Sequence, residues 1–225
     1  MEASCGLAQG GSPKIMKFYF FPVAPNPTKV RLYLAEKKEA GCAIDLEPVV
    51  VNLREGEQKS EEHLRRDPLG RLPVLETDEG EFLTESLPMI LFLEELHPDP
   101  PLIGATPLER ALTLNMERMV EQGILYPMAR VVHATASPIG FPPNPAVADA
   151  FRAGLPAAFA NIEKHMEDGR PFLMGEKPTV ADCTLVAGLQ FGRMAELDIG
   201  DDCPRLRAWH EAFRKRASAQ EILVL

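Results

Sequence analysis

The sequence predicts an α/β domain followed by an all-α domain. In the N-terminal part, short apolar segments of strand length alternate with segments of helical spacing. Residues 97–101 (HPDPP) are rich in proline, which stops a helix and marks a boundary. Beyond them the apolar spacing is helical throughout. We therefore expect the α/β domain at residues 15–98, a linker at 99–106 and the all-α domain at 107–225.

Composition describes an ordinary globular chain of 225 residues, 45% hydrophobic and 25% charged. Its net charge of −9 argues against nucleic acid and anionic membrane surfaces as partners. The four cysteines (Cys5, Cys42, Cys183, Cys203) are widely spaced, which predicts neither a disulfide framework nor a metal site and favours the reducing cytoplasm. The sequence contains no run of about eighteen apolar residues, so it predicts no membrane span. Residues 1–14, which are small and polar, predict a disordered leader.

The elements of the first domain follow from apolar runs and helix-start residues. The predicted order is a strand at 15–21, a helix at 27–39, a strand at 43–52, and a loop with a short helix at 53–66. The helix at 27–39 is expected to have Asn26 as its N-cap and Pro27 as its first residue.

The stretch 67–96 carries the densest signals for a binding site. It predicts a strand at 72–76, a turn at 78–80 with Gly80 at positive φ, a strand at 81–83 and a helix opened by Thr84, Glu85 and Ser86. Pro73 inside a strand indicates either an edge position or a cis peptide that leaves the Leu72 backbone free to pair outside the sheet. Glu85 and Ser86 at a helix N-terminus suit an anionic ligand group.

The second domain is predicted to contain a long helix at 108–132, a bend at 136–145 and a second long helix at 145–168. Thr179 and Asp182 form a capping box with Asp in place of Glu, a folding element at the head of an apolar helix. Trp209 and Phe213 are expected in the core of this domain.

The motif RLPVLE…FLTES resembles the glutathione-binding signature of the glutathione transferase family, and the resemblance covers roughly residues 15–225. The order β-α-β-α-β-β-α is that of a thioredoxin-like domain, the N-terminal half of this family, which an all-helical domain follows. The resemblance implies attack of the glutathione thiolate on a hydrophobic electrophile. It also implies a homodimer, and glutathione as co-substrate with no further cofactor.

The resemblance also assigns glutathione-binding residues. It implies that the Leu72 backbone pairs with the cysteinyl part of glutathione and that Glu85 and Ser86 take the γ-glutamyl amine and carboxylate. The glycine carboxylate would go to Gln58 and Lys59. The full set that matches the family's motifs is Gln58, Lys59, Arg71, Leu72, Pro73, Glu85 and Ser86. Asp67 stands where many relatives have Asn, and we expect a turn role for it.

The usual catalytic side chain is missing. The family's tyrosine position falls on Phe20, Tyr19 points to the opposite face of the strand, and the serine or cysteine positions fall on residues 24–26 (APN). This resembles an atypical bacterial and fungal branch with a Thr/Ser-Pro-Asn motif, without its hydroxyl. Asn26 is therefore a candidate donor to the thiolate, unless it merely caps the helix.

Other candidates remain beside Asn26. His133 follows the helix that borders the family's electrophile pocket and is a candidate to hold a water against the sulfur. Thr28 is a further candidate. Two alternative functions stay open: a glutathione-dependent thiol-disulfide reductase or peroxidase, most routes to which need a loop cysteine that is absent here, and a non-enzymatic ligand carrier.

Overall fold

The computed structural model describes residues 15–224, so the predicted leader at residues 1–14 lies outside the described residues. The strands are β1 (Lys17–Phe20), β2 (Glu47–Val50), β3 (Val74–Glu76) and β4 (Phe82–Leu83). The helices are α1 (Pro25–Glu39), α2 (Glu61–Arg66), α3 (Ser86–Leu96), α4 (Pro107–Val120), α5 (Tyr126–Thr135), α6 (Pro145–Arg152), α7 (Leu155–His165), α8 (Val180–Gly192), α9 (Pro204–Arg214) and α10 (Ala217–Ile222). No helix among these residues is long and apolar enough to cross a membrane.

The N-terminal domain is built on a four-stranded mixed sheet of order β2-β1-β3-β4. β1 runs parallel to β2 and antiparallel to β3, which is antiparallel to β4. The predicted order β-α-β-α-β-β-α and the thioredoxin-like fold are confirmed, with strands shorter than the apolar runs that predicted them. The predicted turn is also confirmed, with Gly80 at φ 90°.

The predicted start of the first helix is wrong. α1 begins at Pro25 with Ala24 as its N-cap, and no side chain caps it. Proline opens a helix readily because its φ is already helical and its missing N–H would have no partner there. Pro25 therefore takes the first position, and Asn26 lies inside the first turn instead of capping it.

The helix predicted at 108–132 is two helices, α4 and α5, and the helical stretch continues to Thr135. A π-helical turn at Glu121–Leu125 joins α4 to α5, and the Tyr126 N–H donates to the carbonyl of Glu121. Pro127 follows directly and has no N–H for the carbonyl of Gly123, so the regular α-helical pattern cannot continue through this point.

The second long helix, predicted at 145–168, is also wrong as a single element. It is two helices, α6 and α7, separated at Ala153 and Gly154. Gly154 disfavours the helical interior, and Pro156 suits only the first turn of a new helix, so the chain breaks between them. The predicted bend before α6 is confirmed.

The capping box at the start of α8 is confirmed and is anchored from three sides. The buried carboxylate of Asp182 accepts the Thr179 N–H at 2.9 Å, the Leu173 N–H at 2.9 Å and the Trp209 indole N–H at 3.2 Å. Trp209 and Phe213 are buried in the core, as predicted.

A row of buried charged side chains on α1 holds the two domains together. Lys29 Nζ lies 2.7 Å from Glu117 Oε1 and 2.5 Å from Glu121 Oε2, and the side chains of Lys29 and Glu117 are 0% exposed. The Thr184 hydroxyl of α8 also donates to Glu117 at 3.2 Å. Burial raises the pKa of Glu117, and Lys29 acts in the opposite direction. The pair therefore depends on both partners being present.

Removing one partner of this buried pair is expected to be costly. We predict that Lys29→Met lowers the free energy of unfolding by about 3–5 kcal/mol, because Glu117 is left buried without its cation. Chemical denaturation followed by circular dichroism measures this. Lys38→Met is the control, since the Lys38–Glu221 pair is 61% and 54% exposed and worth less than about 1 kcal/mol. Equal losses in the two variants would contradict the prediction.

Candidate functional site

The start of α1 and the Leu72–Pro73 peptide lie at the same end of the sheet. Tyr19 of β1 pairs with Val74 of β3 in antiparallel register, which puts Phe20 level with Pro73. The chain leaves β1 at Phe20 and enters α1 at Pro25. Asn26, in the first turn of α1, is therefore near the entry to β3.

The start of α3 reaches the same end. Leu83 of β4 pairs with Leu75 of β3, so Glu85 comes level with Pro73, and α3 begins at Ser86. β2 runs parallel to β1, so the chain leaving β2 toward the 3₁₀ turn at Glu57–Lys59 also departs from this end. The register thus gathers the glutathione-binding residues expected from the sequence, and Asn26 with them, at one end of the sheet.

The Leu72–Pro73 peptide is cis, which was one of the two alternatives open from the sequence. β3 begins only at Val74, and the main-chain N–H and C=O of Leu72 have no hydrogen-bond partner among residues 15–224. An extended peptide laid along Leu72 would satisfy both groups, in the way a peptide adds to a free strand edge.

The first turn of α3 is prepared for an anionic group. Glu85 is the N-cap, its side chain makes no cap hydrogen bond, and the first turn contains no acidic residue. Ser86 is buried, and its hydroxyl has no partner in the described part of the chain. The Arg71 guanidinium lies 3.1 Å from the Glu85 carboxylate and so fixes the position of the Glu85 carboxylate beside the N-terminus of α3.

Gln58 and Lys59 differ in their surroundings. Gln58 is buried, and its Oε1 has no hydrogen-bond partner among the described residues. The loop before Pro73 packs closely on its backbone, since a Cβ at Gly70 would lie 2.8 Å from the Gln58 carbonyl oxygen. Gly70 also has φ 61°, which favours glycine. Lys59 is exposed.

Two side chains of the α2 region hold the main chain of Arg71, and sequence reasoning missed one of them. The Asp67 carboxylate accepts the Arg71 N–H at 2.6 Å and the Leu69 N–H at 3.3 Å, so its predicted turn role is confirmed. The buried His63 ring has Nε2 2.9 Å from the Arg71 carbonyl oxygen. Since a carbonyl only accepts, Nε2 carries the proton. His63 thus positions the residue directly before Leu72, a contact that no local pattern signals.

The side chain of Asn26 makes no hydrogen bond within the described part of the chain. Its Oδ1 is buried without a hydrogen bond among residues 15–224. Pro25 and Pro27 on either side lack an N–H, so the Asn26 N–H remains a main-chain donor of the first turn, and the described residues give it no acceptor. Oδ1 is an acceptor and lacks a donor, whereas the side-chain NH₂ and the main-chain N–H of Asn26 are donors at the positive end of α1, and these two donors suit an anion.

His133 does not belong to this cluster by its contacts. It lies in the last turn of α5, with Nδ1 3.2 Å from the Ser137 hydroxyl and its ring packed against Phe141 and Phe191. Burial lowers the pKa of His133, and the charge of Arg130 acts in the same direction. The lowered pKa favours the neutral ring, and the catalytic role of His133 stays a prediction.

Comparison with known proteins decides the family. A family model described as "Glutathione S-transferase, N-terminal domain" matches residues 18–101, and one described as "Glutathione S-transferase, C-terminal domain" matches residues 128–217. The chain belongs to the glutathione S-transferase family. It is 30% identical over 213 residues to "Glutathione S-transferase 2" of Saccharomyces cerevisiae, which covers 92% of this chain and 89% of that protein.

Two further relatives extend the comparison. A "Maleylacetoacetate isomerase" of Pseudomonas aeruginosa is 28% identical, over 92% of this transferase and 97% of the isomerase. The crystal structure of Gtt2 from Saccharomyces cerevisiae has a TM-score of 0.82 at 28% identity and covers 92% of this chain and 99% of its own. The fold predicted from the sequence, a thioredoxin-like domain followed by a helical domain, is thus that of its family.

In this transferase the hydroxyl groups around β1 are occupied elsewhere. Tyr19 packs on the opposite sheet face from Phe20, with Val51 and Val74, and its hydroxyl donates to Glu76 at 2.7 Å. Burial, followed by the Glu76 bond, raises the pKa of Tyr19 to about 12. The Thr28 hydroxyl donates to the Ala24 carbonyl at 2.9 Å. Asn26 is left as the unpartnered polar side chain at the start of α1.

The His63 contact generates a prediction for glutathione affinity. His63→Phe removes the donor to the Arg71 carbonyl, which frees the residue before Leu72, and we expect glutathione binding to weaken about five- to ten-fold. His63→Gln, whose amide N–H can reach the place of Nε2, is expected to restore most of the affinity. Calorimetric titration with glutathione measures the affinity, and thermal unfolding monitors the fold. Unchanged affinity in folded His63→Phe would refute the positioning role.

Proposed function

We propose that this transferase conjugates the thiolate of reduced glutathione to hydrophobic electrophiles in the cytoplasm. The observation that carries the proposal is the unpaired main chain of Leu72 beside a helix start made of Glu85 and Ser86. A γ-glutamyl tripeptide has the complementary groups, namely a central amide for Leu72 and an amine and a carboxylate for the start of α3. The family's shared use of glutathione supports the same ligand.

Each group of the site has a part in this arrangement. Glu85 accepts from the γ-glutamyl amine, while the Ser86 hydroxyl and the free N–H groups of α3 donate to its carboxylate. Gln58 and Lys59 receive the glycine carboxylate at the other end of the peptide. Arg71 pairs with Glu85 and thereby holds the Glu85 carboxylate in place. The cysteinyl sulfur then comes toward the first turn of α1.

Activation of the sulfur is assigned to Asn26 in this proposal. A thiol is a weak nucleophile until it is ionised, so the site must lower its pKa. The amide and main-chain N–H of Asn26 donate to the thiolate, and the partial charge at the helix N-terminus, roughly +0.5, favours the anion. His133 is the candidate to accept the thiol proton through water, because its lowered pKa favours the neutral ring.

A second candidate reaction is glutathione-dependent cis-trans isomerisation. The observation that favours it is the 28% identity to a maleylacetoacetate isomerase across 97% of that protein. The thiolate would add to a conjugated double bond, rotation would follow, and elimination would return the thiolate unchanged. A thiol-disulfide reductase is less well supported, because residues 20–26 contain no cysteine.

Calorimetric titration of the full chain with glutathione tests the binding step. We expect saturable binding that Glu85→Gln and Ser86→Ala each weaken by about ten-fold, since each removes a hydrogen bond to a charged group. Glu79→Gln is the matched control, because the turn between β3 and β4 lies at the opposite end of the sheet. If wild type does not bind glutathione, or if all three variants behave alike, the proposal fails.

Ultraviolet titration of the bound thiolate tests the activation step in the same experiment series. In wild type the thiol pKa should fall below that of free glutathione, and Asn26→Ala should raise it by roughly one to two pH units. A lowered pKa that persists in Asn26→Ala but not in His133→Ala would assign activation to the histidine. Binding without any lowered pKa would make the protein a carrier.

Assays with an aryl halide and a conjugated cis-diene acid separate conjugation from isomerisation.

We further propose that the active form is a homodimer whose two subunits contact each other through α4. Leu108, Leu112 and Met119 are 68%, 49% and 49% exposed and lie four and seven residues apart, on one face of the helix. An apolar stripe of this kind on a surface helix favours a partner. A two-fold axis across α4 would set two such stripes against each other.

Sedimentation equilibrium tests the dimer. The mass should be twice 24.8 kDa for wild type and should fall toward 24.8 kDa in Leu112→Glu, which places a charge in the stripe. Val50→Glu, at an equally exposed apolar residue on the sheet edge, should remain dimeric. A wild-type mass near 24.8 kDa would overturn the proposal.

A further inference from the structure

A cavity lies in the helical domain, apart from the sheet end. It has a volume of about 480 Å³ and is enclosed by the start of α7 and by the segment that joins α8 to α9. No glutathione-binding residue expected from the sequence lines it. The volume falls within the range typical of small-molecule sites.

The inner surface of this cavity is apolar. Leu155 and Phe159 of α7 and Cys203 before α9 are buried and form its floor, and Leu197 adds a partly buried side chain. Burial raises the pKa of the Cys203 thiol, so this cysteine is a neutral apolar contact. The floor therefore accepts an aromatic or aliphatic body.

The rim is acidic. Glu196, Asp198 and Asp202 all line the cavity. Glu196 and Asp202 form no ion pair with any residue in the range 15–224. Asp198 lies 3.9 Å from Arg207, but that guanidinium is closer to Asp201, at 2.7 Å. Carboxylates with no cation of their own attract a positive ligand.

The wall facing the rim, formed by Arg152 and the start of α7, carries little positive charge. Arg152 lines the cavity but lies 3.0 Å from the Asp149 carboxylate outside it. The start of α7 adds a partial charge of roughly +0.5. Glu196 and Asp202 have no cation among residues 15–224, and Asp198 shares Arg207 with Asp201, so the rim keeps a net negative charge that favours a cation.

The acidic segment is held in place without a ligand. Arg207 donates to the Ile199 carbonyl at 2.7 Å and to the Gly200 carbonyl at 3.2 Å. The Cys203 N–H donates to the Gly200 carbonyl at 3.1 Å, which closes the turn before α9. The rim is therefore preformed, which lowers the entropic cost of binding.

We propose that this cavity binds amphipathic organic cations, with the apolar body on Leu155 and Phe159 and the positive group at Glu196 and Asp202. The site is separate from the glutathione site and independent of the proposed conjugation. It gives the transferase a second small-molecule specificity, set by charge.

Calorimetric titration with tetraphenylphosphonium tests the proposal on the full chain, with an S-alkyl glutathione present to occupy the proposed active site. We expect saturable binding that weakens with added salt. Tetraphenylborate has nearly the same shape and the opposite charge, and it should not bind. Equal binding of the two ions, or no saturable binding of the phosphonium, would overturn the proposal.

Variants locate the site. Ala160→Trp fills the cavity from α7 and should abolish phosphonium binding, whereas Ala157→Trp, on the same helix but outside the cavity, should leave it intact. Glu196→Gln and Asp202→Asn should each weaken binding roughly two- to five-fold. Glu211→Gln, an equal charge change on α9 outside the cavity, should not. Phosphonium binding that survives Ala160→Trp would place the ion elsewhere and refute the assignment.

Discussion

The buried charges of α1 are the constraint on which the rest of the structure depends. Lys29 pairs with Glu117 of α4, Lys37 lies 2.8 Å from Glu94 of α3, and Glu36 accepts from Arg216 at 2.8 Å. A charge removed from water must keep its partner, because an uncompensated buried charge costs several kcal/mol. One helix is thereby fixed to the helical domain, to α3 and to the C-terminal region at once.

This fixation sets the position of the site. The first turn of α1 belongs to the same rigid helix as Lys29, so the docking of the domains also fixes Asn26 relative to the end of the sheet. At that end several polar groups have no hydrogen-bond partner among residues 15–224, namely Asn26 Oδ1, Gln58 Oε1 and the main chain of Leu72. In the capping box of α8, by contrast, each oxygen of the buried Asp182 carboxylate has donors. Among the described residues, Glu117 Oε2 and His210 Nε2 are buried without a hydrogen bond elsewhere, but the groups at the sheet end lie together, and a polar ligand would satisfy them.

The chemistry that this site supports at the sulfur follows from the absence of a free hydroxyl at β1 and the start of α1 among the described residues. Tyr19 donates to Glu76, and Thr28 donates to Ala24, so neither hydroxyl is free for the sulfur. An amide and a helix N-terminus stabilise a thiolate by donated hydrogen bonds and partial charge, without a titrating group of their own. The helical domain adds His133, whose part in this chemistry is a proposal, and, at the α7 cavity, a separate acidic rim.

The local sequence determined the elements whose signals are contained in a few neighbouring residues. Gly80 in its turn and the Thr179–Asp182 capping box were predicted, a cis Leu72–Pro73 peptide was one of two alternatives, and the motif around Pro73 indicated the family. The start of α1, the π-helical turn before Tyr126 and the break at Gly154 have local causes in Pro25, Pro127 and Gly154 with Pro156, which the predictions did not use. The tertiary structure alone decided the contact of His63 with Arg71 and the pairing of Lys29 with Glu117. The physical reason is that these contacts depend on which groups of other elements satisfy a buried N–H, carbonyl or charge. Spacing along the chain carries no information about such partners.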